Sequence, residues 1–121
     1  MSAPWPQRLA LAQGAFYFTT GVWPLLHLTS FLAVTGPKTD LWLVQTVGAL
    51  LAVFGAALVL AARRDRLTPE WRLLAAAFAL VLATVDIVFV ARGTISPIYL
   101  ADAAIEIPLA IAWAVISRRG A

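Results

Sequence analysis

The chain has 121 residues, 62% of them hydrophobic and 12% charged, with a net charge of +3 and a mean hydropathy of +0.88. A water-soluble domain is nearer half apolar and about a quarter charged, and so short a chain has too little interior to hide this much apolar surface. Lipid removes the problem, so the expectation is one all-α transmembrane domain over 1–121.

The absence of cysteine excludes disulfides, thiolate metal sites, iron–sulfur clusters and cysteine nucleophiles. A single histidine argues against a transition-metal site, and no cofactor is expected. The arginines fall between apolar segments, which ties the positive charge to membrane topology rather than to nucleic acid.

Crossing a hydrocarbon core of about 30 Å takes about 20 apolar residues as helix. Four stretches meet this, at about 9–26, 41–62, 71–91 and 98–116. They predict a four-helix membrane bundle. In the first, Gln13, Tyr17, Thr20, Pro24 and His27 step by 4, 3, 4 and 3, and at about 100° per residue they share one face. That polar stripe must face the bundle interior or another subunit. Gln13, Tyr17, Thr19 and Thr20 also interrupt the apolar run that a cleaved signal peptide would need. The stretch from His27 to Thr35 is too short to span. It is expected either as an extension of the first helix broken at Pro24 or as a short helix at the membrane interface.

Gly36-Pro37-Lys38-Thr39-Asp40 reads as a turn, with Thr39 or Asp40 placed to cap the second span. Within that span Gln45, Gly48, Ala52 and Gly55 recur at helical spacing. The small residues among them allow close backbone approach, within one chain or between copies in a homo-oligomer. Arg63-Arg64-Asp65-Arg66 reads as a topology determinant, or more weakly as a contact for anionic membrane lipids. Thr68-Pro69-Glu70 is an N-cap, a first-turn proline and an acidic first turn. Ser96-Pro97 repeats the signal before the last span, in which Pro108 is expected to bend the helix and free the Ala104 carbonyl.

Arg8, Arg63, Arg64, Arg66, Arg72, Arg118 and Arg119 lie on one side of these spans, and Lys38 and Arg92 on the other. The positive-inside rule then makes the first side cytoplasmic and puts both termini there, as in a multi-pass protein of a bacterial inner (plasma) membrane. Trp5, Trp71 and Trp113 fall near the inner interface, and Trp23 and Trp42 near the outer one.

Three acids lie inside spans, where a charge costs at least about 2.5–3.5 kcal/mol. Asp86 is in the outer third of the third span. Asp102 is little more than a turn into the fourth, and Glu106 lies one turn deeper on the same face. The functional reading is an outer-half cavity walled by His27, Gln45, Asp86, Asp102 and Glu106, with Tyr17 and Thr20 deeper. Arg92 is placed to pair with Asp86 or Asp102, or to attract an anionic ligand. The plainer alternative makes His27 and Asp102 hydrated interfacial residues and Asp86 the partner of Arg92.

A polar first helix, the runs Trp23-Pro24-Leu25-Leu26-His27 and Val34-Thr35-Gly36-Pro37-Lys38, and acids late in the bundle resemble small bacterial membrane proteins similar in architecture to the DoxX-like group. The resemblance implies a four-helix bundle in a membrane and no catalytic residue. Small multidrug-resistance exporters also have four spans, but they need a glutamate in the first span, where this chain has Gln13.

The leading expectation is a non-enzymatic protein that binds a small apolar or amphipathic ligand, or a partner helix. The first alternative is a proton-coupled transporter in which these acids carry protons. A membrane enzyme acting on a lipid-like substrate is a minority alternative, because no nucleophile elbow, phosphate loop or dinucleotide fingerprint is present.

Overall fold

The structure is a computed structural model and describes residues 5–119. Among these the regular elements are five helices: α1 (Trp5–Leu26), α2 (Leu28–Thr35), α3 (Leu41–Arg63), α4 (Pro69–Ala91) and α5 (Tyr99–Arg119). Three of them, α3, α4 and α5, are long and apolar enough to cross a membrane. Their outward faces carry exposed leucine, isoleucine and valine, Leu50, Leu73, Leu80 and Ile111 among them. A lipid solvent accepts these side chains and water does not. α1 is comparably long at 22 residues but is not one of the three. Gln7, Arg8, Gln13, Tyr17, Thr19 and Thr20 dilute its apolar surface.

The chain breaks after α1 at His27 rather than at Pro24, which lies buried within the helix. A proline removes one intrahelical donor but need not end a helix whose freed carbonyl faces packed protein. His27 then caps α2 as its Nδ1 accepts from the Ser30 amide at 3.2 Å. Gly36 ends α2 at φ 99°, with its amide bonded to the Leu32 carbonyl at 2.8 Å. Thr68 caps α4 through the Trp71 amide, with Pro69 in the first turn. Asp40 occupies the N-cap position of α3, but its carboxylate makes no capping bond. Its backbone carbonyl accepts from the Leu43 and Val44 amides instead, leaving the side chain to a different place described below.

α1 packs along α3 and α4 along α5. The first pair is closed by glycine. A Cβ on Gly21 would lie 2.5 Å from the Gly48 carbonyl oxygen, and one on Gly55 would lie 2.5 Å from that of Gly14. The small-residue face of α3 is thus used inside the chain, against α1. In the second pair the inward stripe of α4 is Ala75, Ala79, Ala83 and Asp86, and the facing residues of α5 include Ala103, Glu106 and Trp113.

The two pairs join at the arginine-rich end. Ala10, Leu58, Ala62, Ala75 and Trp113 form one buried cluster there. Trp113 is fully buried among protein side chains. Its indole N–H donates to Gln13 Oε1 at 2.6 Å, and Gln13 Nε2 donates to the Ala75 carbonyl at 2.9 Å. That partner lets an indole be wholly buried, because a buried N–H must be satisfied. Above this layer Phe54 of α3 stacks on Phe78 of α4 with centroids 4.0 Å apart. Beyond the stack the two pairs splay.

Candidate functional site

The splay leaves a cleft of about 880 Å³ at the end opposite the arginines. Its floor is Tyr17 of α1 and Glu106 of α5, whose hydroxyl and Oε1 are hydrogen-bonded at 2.7 Å. The Tyr17 ring rests beside the Phe54–Phe78 stack, which seals the space below. Asp86 and Asp102 line the wall above Glu106, with Thr20, Pro24 and Gly48 across from them. Aliphatic side chains form the walls on two helices: Leu43, Val44, Val47 and Leu51 from α3, and Leu82 and Val85 from α4.

Three carboxyl groups therefore share one end of the cleft. Asp102 lines the same stretch of wall as Asp86 and Glu106. Asp86 is 4% exposed and Glu106 1%. Among the described residues the one protein donor bonded to this trio is the Tyr17 hydroxyl. Asp86 Oδ2 is buried without any hydrogen-bond partner. Buried polar atoms are nearly always partnered, so this oxygen stands out.

The mouth carries its own charges. Lys38 and Asp40 line it, as do Phe31 of α2 and Tyr99 of α5. The Lys38 ammonium lies 5.3 Å from the Phe31 ring centre and 5.1 Å from that of Tyr99. It donates to Thr35 Oγ1 at 2.8 Å and to the Thr35 and Gly36 carbonyls at the end of α2. A cation bonded to the free carbonyls of a helix C-terminus is well placed, and this one is committed to them rather than to the carboxyl trio.

Of the residues singled out in the sequence, Tyr17, Thr20, Asp86, Asp102 and Glu106 come together in this cleft. Three others do not line it. The His27 ring is exposed and occupied with Ser30 in capping α2. Gln45 reaches back to the Pro24 carbonyl at 3.4 Å, where α1 comes to its end. Arg92 is exposed and lies over its own helix's Phe89, 5.8 Å from the ring centre, not against Asp86 or Asp102. Asp86 points into the bundle along the alanine stripe of α4, while Arg92 lies beyond that helix's last residue, out of its reach. No group of acids and histidines among the described residues has metal-binding geometry.

Sequence reasoning missed Lys38, Asp40 and Tyr99. Tyr99 carried a signal: with Asp102 and Glu106 it steps by 3 and 4 along one helix face. Lys38 and Asp40 carried none, because their positions depend on how the 36–40 turn folds over the bundle. Compared with protein-family models, curated proteins and solved structures, the chain finds no match.

Proposed function

We propose that this is a four-span integral membrane protein, DoxX-like in architecture, that binds a small amphipathic molecule in the cleft between its two helix pairs. α1 forms the fourth span, shielded from lipid on its polar side by α3 and α5. The arginine-rich end faces the cytoplasm of a bacterial inner membrane and the cleft opens toward the outer side. The observation that supports the binding role is the pairing of aliphatic walls on α3 and α4 with a localised cluster of acids. Ligand sites commonly have this composition at roughly 300–1,000 Å³.

The test is native mass spectrometry of protein released from lipid nanodiscs, with decanol as the neutral amphipathic probe. Wild type is expected to carry a saturable decanol adduct. Val47→Trp and Leu82→Trp, which fill the cleft, should lose it, whereas Leu80→Trp, on the exposed face of α4, should keep it. Equal adducts in all four proteins would end the proposal.

A second reading has its own support in the four ionisable groups, Tyr17, Glu106, Asp102 and Asp86, that line one region of the cleft, the first two hydrogen-bonded to each other. Such a cluster suits proton-coupled transport. In that case Glu106→Gln abolishes proton-driven flux in proteoliposomes while leaving the decanol adduct in place.

A further inference from the structure

The composition of the cleft's polar end narrows the ligand class. Asp86, Asp102 and Glu106 bring up to three negative charges together, and the Tyr17 hydroxyl bonded to Glu106 is neutral. Among the described residues the one cation lining the cleft, Lys38, is held at the mouth by the carbonyl end of α2. Asp40 adds a further acid beside it. Like charges in a low-dielectric site repel strongly, and a bound cation relieves that repulsion.

Geometry adds a more specific requirement. Asp86 Oδ2 is an acceptor without a donor, on a side chain that is almost wholly buried and lines the cavity. A cation that only neutralises charge leaves this oxygen unsatisfied. An ammonium carrying N–H supplies both the charge and the missing hydrogen bond, and charge-assisted bonds of this kind are about twice as strong as neutral ones. The aliphatic walls of α3 and α4 then suit a hydrocarbon tail.

We infer that the cleft selects a lipophilic amine in its protonated, N–H-bearing form, with the ammonium donating to the Asp86 carboxyl group and the tail lying between α3 and α4. This rests on the reading of the cleft as a ligand site, and the two separate cleanly by experiment. The probes are decylamine, decyltrimethylammonium and decanol, which share one tail and differ in the head. Binding is read from adduct titrations of the full chain released from nanodiscs.

Decylamine is expected to bind at least about tenfold more tightly than decanol, and more tightly than decyltrimethylammonium, which has charge but no N–H. Asp86→Asn should reduce decylamine to the decanol level and leave decanol unchanged. The decanol titration also shows that the variant is folded. Asp102→Asn, whose carboxyl has a weaker claim on the ligand, should lower decylamine affinity by a smaller factor. Equal binding of decylamine and decyltrimethylammonium overturns the inference. So does equal binding of decylamine and decanol, or an Asp86→Asn variant that keeps the amine preference. In each of these cases decanol still binds and the cleft remains a ligand site. Failure of all three probes to bind removes both readings together.

Discussion

Gln13 is fully buried with its amide divided between two helices, accepting from Trp113 and donating to the Ala75 carbonyl. Gln13→Leu keeps the volume but strands the indole N–H in a dry layer. It is expected to cost about 1–3 kcal/mol, the penalty for an unsatisfied buried group, read as a lower midpoint in denaturant unfolding from micelles. Trp113→Phe should cost less in the Gln13→Leu background than in wild type, because the bond it removes is already gone. The inward direction of Gln13 was legible in the sequence from its place on the polar stripe of α1. Its partner was not. Trp113 is 100 residues away on another helix. The same holds for Tyr17 and Glu106: each carried a polar signal on its own helix, and only packing joins them.

At the scale of helices, the α1–α3 crossing is set by backbone approach at Gly21–Gly48 and Gly14–Gly55. Gly21→Ala places a methyl against the Gly48 carbonyl and the Ala52 amide, both backbone atoms that cannot step aside as a side chain would. The expected loss is about 1–3 kcal/mol of stability, typical of an overpacked contact. Gly93→Ala is a useful contrast: its Cβ meets nothing within 4 Å, and its cost comes only from its φ of 72°. The spacing of Gly48, Ala52 and Gly55 was legible as a packing face. Which surface it meets was not, because a small-residue stripe fits a neighbouring helix or another subunit equally well. Helix starts read better than helix neighbours. Thr68-Pro69 marks the start of α4 through local chemistry alone, while His27 looks like a polar wall residue until the backbone turns and makes it a cap.

The whole molecule consists of two helix pairs closed at one end and parted at the other. The closeness of the acids was legible, since antiparallel α4 and α5 bring Asp86, Asp102 and Glu106 to one region of the pair, where all three line the cleft. The parting was not legible; it arises because the alanine and glycine faces are spent within each pair and little remains to draw α3 onto α4. The proposed topology has a direct test, because the native chain contains no cysteine. Thr94→Cys is expected to react with a membrane-impermeant maleimide in intact spheroplasts, and Asp65→Cys only after the membrane is opened. The reverse pattern would invert the molecule and turn the cleft to the cytoplasm.

Leu43, Val47 and Val85 line the cleft and are left exposed, so packed side chains do not fill the space between α3 and α4 there. In the proposed topology a sideways path between these two helices would meet acyl chains, while Lys38 sits over the top between Phe31 and Tyr99. A molecule taking that route leaves the bilayer without crossing bulk water. Its occupancy then follows its mole fraction in the membrane, so two ligands of equal intrinsic fit rank by how strongly they partition into lipid.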